Sequence, residues 1–244
     1  MNIIETFHPF FQKEHYETFC GNKPSDDNAD NERLAIADRL LELDNLLWPE
    51  ILKHGWNISR HPQINHRSST WQLSQARVFF EQRIDAIWLH YGKSDIELET
   101  YRPYHSDANP QTFIHHIRFQ LVVRRDHFEI ALILGKEKGG AWDRGKYHDL
   151  MENKSSRETL FGLITVLDSE YWIDFKSHSE YLNTFKTPEE LWRYTRNDNI
   201  NHYFTFGKSI SPLDERISEN NIVNTIIAEF KKLYPLYNLI KHRF

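Results

Sequence analysis

Between Phe113 and Lys146 two alternating apolar runs follow one another closely and empty into a segment holding four of the chain's nine glycines. Ile117, Phe119, Leu121 and Val123 fall on one side of an extended chain, with Arg118 and Gln120 on the other. Phe128, Ile130, Leu132 and Leu134 repeat the beat. A period of two is the signature of a strand with one buried face, and two such runs a few residues apart predict a β-hairpin. The segment beyond it, GKEKGGAWDRGK at 135–146, predicts a basic glycine-rich loop carrying Lys136, Lys138, Arg144 and Lys146 around Trp142.

The remaining elements follow from the same kind of pattern. The tract GNKPSDDNADN at 21–31 has no large apolar residue and reads as a linker. After it, Leu34, Leu40, Leu41, Leu43, Leu47, Ile51 and Leu52 recur near helical spacing, with Pro49 expected to kink that helix or start another. Residues 1–60 are therefore read as an N-terminal helical region and 61–244 as a sheet domain. The segment 56–69 reads as a connection with room for a short strand. From Leu73 to Tyr91 apolar residues spaced by three or four predict a helix closed by Gly92. Asp95–Tyr101 alternates as a strand, and 103–110 is the loop before the hairpin. Beyond the glycines, Ser155 and Glu158 form a capping-box pattern for a helix at 159–167, and 170–176 reads as a strand. Thr187, Pro188 and Glu190 combine a cap residue, a proline at the first helical position and a capping-box glutamate. A short strand at 203–206 and a last helix through Ile222, Ile226 and Phe230, interrupted at Pro235, complete the chain. The fold class is α+β: a mixed, largely antiparallel sheet with helices packed on it, preceded by the N-terminal helical region.

Composition narrows the class. With 16 Phe, 11 Tyr and 7 Trp, the 244-residue chain has ample large apolar side chains for a core. Cys20 is the single cysteine, so no internal disulfide or thiolate zinc site is available, and it lacks a motif for nucleophilic catalysis. The first 15 residues lack the basic start and long apolar centre of a secretory signal, and no window has the length of a membrane span; a cytoplasmic protein with no membrane partner is expected. A formal net charge of −5 confines any hold on phosphate-rich partners to a local basic patch. Among the 14 histidines, His115 and His116 are neighbours expected on a strand, where they point to opposite faces, and His61 and His66 match no zinc spacing. No resident metal or other cofactor is therefore expected.

The element order α-β-β-β-α-β from Leu73 to Lys176 is similar to the core of the PD-(D/E)xK nuclease family, in which carboxylates on the central strands hold a divalent metal and a lysine steadies the attacking water. The resemblance covers about a hundred residues and departs at the motif. The second strand offers His115, His116 and Arg118 where an acid belongs. The third offers Glu129-Ile130-Ala131 without lysine, and the Asp174-Phe175-Lys176 triplet sits one element too late. It implies Mg²⁺ or Mn²⁺ held by Glu97 or Glu99, Glu129 and Asp174, with Lys176 beside them.

Three readings stay open. One is a nucleic-acid or protein interaction module, using the basic loop and the polar face of the hairpin: Arg118, Lys136, Lys138, Arg144 and Lys146 to meet phosphates or carboxylates, and Trp142 to stack. The second is the metal-dependent nuclease or phosphodiesterase. The third is a structural subunit of a larger complex, with the glycine segment a mere connector.

Overall fold

The hairpin expected from period-two alternation forms as β3 (Arg118–Arg124) and β4 (Phe128–Leu134). Around it a computed structural model, describing residues 8–19, 27–61, 86–101, 112–175, 178–197 and 202–244, builds a sheet of seven strands. The others are β1 (Ser59–His61), β2 (Ala86–Gly92), β5 (Tyr171–Phe175), β6 (His178–Tyr181) and β7 (Phe204–Ile210). Their spatial order is β1-β2-β3-β4-β7-β5-β6, and every pairing is antiparallel. The helices are α1 (Lys13–Glu17), α2 (Asp27–Lys53), α3 (Asp95–Glu99), α4 (Glu137–Glu152), α5 (Lys154–Thr165), α6 (Pro188–Thr195) and α7 (Ile222–Ile240). Among the described residues no helix is long and apolar enough to cross a membrane.

One face of the sheet, carrying Tyr91, Phe119, Leu121, Ile130, Leu132 and Phe206, is the helix-packed core. There Phe230 of α7 lies 4.5 Å from Phe119 and 5.8 Å from Tyr91, ring centroid to centroid. Tyr91 donates its hydroxyl to Asp44 of α2 at 2.9 Å, so α2 is fastened to the sheet by a polar bond as well as by Leu40, Leu43, Leu47 and Ile51. The opposite face is buried too: Arg118, Gln120, Val122, Glu129 and Ala131 are all nearly inaccessible. This corrects the expectation that the polar face of the hairpin is a contact surface. Alternation in sequence separates the two faces of a strand, but only the layers stacked on each face decide whether it meets water.

Four local expectations also change. Asp95–Glu99 is a helix, because Ser94 caps it, accepting from the Glu97 amide at 3.2 Å while the Glu97 carboxylate accepts from the Ser94 amide at 2.9 Å. This reciprocal box outweighs a short alternating pattern. Residues 86–92, expected at the end of a helix, are the β-branched and aromatic strand β2; the rest of that predicted helix, 73–85, lies outside the described residues, as do Cys20, His66 and the 103–110 loop. The glycine-rich segment is the first half of α4, not a loop. Helix α7 runs through Pro235, and α2 through Pro49. A proline removes one helical donor, and in α7 the burial of Leu233, Leu236, Tyr237 and Ile240 on both sides of it holds the helix together. By contrast α6 starts where its capping signal says, with Thr187 accepting from the Glu190 amide at 3.2 Å. The 56–69 connection does contain a short strand, β1.

Strand β7 has one position where the absent side chain matters. A Cβ on Gly207 would lie 2.6 Å from Cη2 of the Trp172 indole packed across it. Gly207→Ala is therefore expected to displace that ring at a cost of about 1–3 kcal/mol. A thermal melt together with indole fluorescence checks it; an unchanged melting temperature and spectrum would show that the Trp172 ring does not pack across Gly207.

Candidate functional site

The cationic residues expected to work together are not presented together. Arg118 is buried and donates to the carbonyls of Ile114 at 2.5 Å and His116 at 3.3 Å. Arg144 is equally buried, donating to the carbonyls of Gly135 at 2.7 Å and of His202. Both guanidiniums tie backbone segments together, a use for which several fixed donors suit arginine well. Lys136 is half-buried over the Tyr203 ring at 5.3 Å, and the Lys138 side chain lies outside the described residues. Of the set's described side chains, that of Lys146 is the exposed one, and Trp142 stands four residues before it, on the same side of α4.

Gly135 and Gly140 have a packing role. A Cβ on Gly135 would fall 2.6 Å from the Cα of His115 and nearer still to its carbonyl, and one on Gly140 would fall 2.5 Å from the carbonyl carbon of Gly135. Three backbone segments are pressed together here. The expected phosphate cradle is instead the seat of α4 against the end of β4 and the 3₁₀ turn Thr112–His115.

The acids of the nuclease reading are also dispersed. Glu97 is on α3 and pairs with Lys241 at 2.5 Å. Glu99 is exposed at the end of the same helix. Glu129 is buried on β4 with Arg124 at 2.8 Å and His127 at 3.7 Å. Asp174 faces Thr205 of β7 while Glu129 faces Ser209, four positions apart or about 13 Å along the strand. Lys176 lies outside the described residues. No three histidine, cysteine, aspartate or glutamate side chains among the described residues are placed to hold a metal ion.

What the fold does bring together is a polar knot centred on Asp143 of α4. Its carboxylate accepts from Lys93 Nζ at 2.9 Å, from the backbone amide of Ile117 at 2.8 Å and from that of His242 at 2.7 Å, with His116 Nδ1 at 3.2 Å. Lys93 also reaches the Tyr101 hydroxyl at 3.0 Å, and Tyr101 donates to the His242 carbonyl at 2.6 Å. Lys93 and Asp143 are both essentially inaccessible. Burial works to raise the Asp143 carboxyl, but the His116 contact, the Lys93 charge and the Ile117 amide outweigh it and hold it down at about 2. Burial pulls Lys93 below an ordinary lysine, with Asp143 offsetting part of that. His242 is depressed by burial first and then by the neighbouring Lys93 charge. The knot fastens Lys241–Phe244 to the body of the protein, helped by the Glu97–Lys241 pair, for which the lysine overrides burial and keeps Glu97 low.

Above this knot lies a cleft of about 710 Å³ between α4, α5 and the end of α7, lined among others by Lys146, Asp149, Thr159, Leu163, Leu239 and Arg243. His242 also lines it, and its ring continues into an aromatic patch: Trp142 at 5.1 Å, Phe244 at 5.1 Å and Tyr101 at 6.0 Å. Lys146 and Arg243 are both exposed, and neither makes an ion pair among the described residues. Arg243 is instead steadied by the amide oxygen of Asn238 one turn back. The cleft therefore joins two exposed cations, a half-buried imidazole, one carboxylate, an apolar floor and adjoining rings.

Elsewhere, Lys208 of β7 is enclosed by Asp168 at 2.7 Å, Glu170 at 2.9 Å and Glu229 at 3.2 Å, with Lys232 and Arg216 on the outer side. Each carboxylate already has a cationic partner, so this network links β5, β7 and α7 and leaves no vacant ligand position. Compared with known proteins, the chain matches no protein-family model and no curated protein sequence.

Proposed function

We propose that the protein is an interaction module that takes an anionic partner, nucleic acid or an acidic protein segment, into the cleft between α4, α5 and the end of α7. The observation that carries this is the pair of exposed cations, Lys146 and Arg243, lining a cleft whose one carboxylate is Asp149, in a chain whose formal charge is −5. In a molecule of net negative charge, a local positive site favours docking of a polyanion there. Of the residues expected from sequence, Lys146 and Trp142 keep a place at this surface, while Arg118 and Arg144 support the scaffold behind it. The dispersal of Glu97, Glu129 and Asp174 favours binding over metal-assisted hydrolysis.

The test is double charge reversal, Lys146→Glu with Arg243→Glu, in titrations against heparin as a general polyanion at low salt. Both side chains are exposed, so the melting temperature is expected to move little. Affinity is expected to fall at least tenfold, with the slope of log K against log salt shallower by about two. Undiminished binding by the double variant, or no binding by the native chain, would remove the cleft as a docking site.

A further inference from the structure

Resting on that reading, we infer that the partner is single-stranded nucleic acid, held with its phosphate between Lys146 and Arg243 and its base against the aromatic patch beside the cleft. Four observations converge. Trp142, Lys146 and Asp149 follow one another at spacings of four and three along α4, so ring, cation and cleft wall form one stripe on one helix. His242 belongs to the cleft wall and to the patch at once, with its ring 5.1 Å from both Trp142 and Phe244. Phe244 is 61% exposed and lies edge-on to Trp142 at 5.2 Å, while Tyr101 closes the group at 4.7 Å from Phe244. Arg243 stands between the two rings in sequence, so the segment presents base-stacking and phosphate-binding groups in alternation, His-Arg-Phe.

A base in a duplex hides its faces against its neighbours, and the rings of this patch have nothing to stack on there. A splayed single strand offers both the face and the phosphate one nucleotide step apart. An acidic peptide supplies the charge but has no requirement for the rings. Volume agrees: about 710 Å³ is in the range of small-ligand sites and enough for a nucleotide. The apolar floor of Leu163 and Leu239 suits the edge of a base or sugar better than a second phosphate.

The geometry also defines how the segment is kept ready. Asp143 and Tyr101 hold both backbone polar groups of His242, so the ring pair and Arg243 are ordered before any partner arrives, which lowers the entropy lost on binding.

Fluorescence anisotropy of a labelled 20-nucleotide mixed-sequence single strand, the same sequence as a duplex, and heparin as competitor tests the inference on the full chain. The single strand is expected to bind at least tenfold more tightly than the duplex. Phe244→Ala is expected to lose about tenfold in affinity for the single strand with no change in salt slope. Lys146→Glu with Arg243→Glu loses affinity for both nucleic acids and lowers the slope. Circular dichroism melts of each variant confirm that the fold is intact; a destabilised Phe244→Ala is replaced by Phe244→Leu, which keeps bulk but not the ring. Equal affinity for duplex and single strand, or a single-strand affinity indifferent to Phe244, overturns this inference and leaves the anionic-partner reading standing if charge reversal still abolishes binding. Failure of heparin and both nucleic acids to bind overturns both.

Discussion

Replacing Gly135 by alanine is expected to destabilise the protein by about 4 kcal/mol. The added methyl would meet the backbone of His115, 2.6 Å from its Cα and closer to its carbonyl, and a backbone segment inside a 3₁₀ turn has no rotamer to move to. The same site is locked from the other side, because the Gly135 carbonyl accepts from buried Arg144 and has Gly140 pressed against it. Relief therefore requires β4, α4 and the turn to separate. Overpacking of a yielding core costs about 1–3 kcal/mol, and a clash against backbone on both sides belongs above that range. For a chain of this size a loss of about 4 kcal/mol lowers Tm by roughly 8–16 °C. The control is Gly145→Ala in the same glycine-rich segment. Nothing lies within 4 Å of its added Cβ, and α4 continues through it, so alanine there is expected to raise stability by about 0.5–1 kcal/mol. Opposite signs for two glycines ten residues apart, read by thermal melts, are the expected result. Equal and small effects would show that the close backbone contact at Gly135 does not exist in solution.

Asp143→Ala is the second large effect. The substitution removes at once the acceptor for the Lys93 ammonium and for the Ile117 and His242 amides, all inside the protein. Leaving a buried charge without its partner costs about 3–5 kcal/mol, far more than the pair contributes over an apolar replacement. Asp143→Asn, which keeps the size and one acceptor oxygen, is expected to lose less, so the order native, Asn, Ala in Tm is the readout. The acid limb of stability gives a separate check. In the folded chain the carboxyl is held at about 2, below the ordinary value of 3.8. A depressed carboxyl contributes stability that is complete above the unfolded value and is lost as pH falls through the folded one. The native protein is therefore expected to lose this contribution between about pH 4 and pH 2, and Asp143→Ala to lose less over that window. Identical acid limbs would show that Asp143 has the same affinity for protons folded and unfolded. Affinity for the anionic partner is expected to fall with Asp143→Ala as well, since His242 and Arg243 are no longer fixed.

Much of the scaffold was readable because its signals are local. The hairpin β3–β4 is written in ten alternating positions, and α6 in the Thr187, Pro188 and Glu190 triplet, where Thr187 and Glu190 accept from nearby backbone amides and Pro188 starts the helix without an N–H to satisfy. The errors have the same physical origin as the successes. Asp95–Glu99 alternates like a strand, yet a capping box four residues wide decides it. Gly139, Gly140 and Gly145 read as a loop, yet Gly140 is a helical glycine against which the Gly135 carbonyl presses, and Gly135 in turn meets the backbone of His115, a contact twenty residues away with no trace in the neighbouring sequence.

For the candidate site the division is sharper. Trp142 and Lys146 were visible as an aromatic and a cation in a basic segment read as a loop, and their four-residue helical spacing acquired meaning only with α4. Lys93, Tyr101, Asp143, His242 and Arg243 come from α4, the turns flanking α3 and the segment after α7, and none has a motif around it. Arg118 and Arg144 carried the same charge on paper as Lys146, but burial against carbonyls turned them into fasteners. Residue type and spacing determined the strands, the caps and the amphipathic helices, because those depend on free energies exchanged within a few residues. Which cations face water, which acids meet and where a cleft opens depend on long-range packing, and those the tertiary structure alone decided.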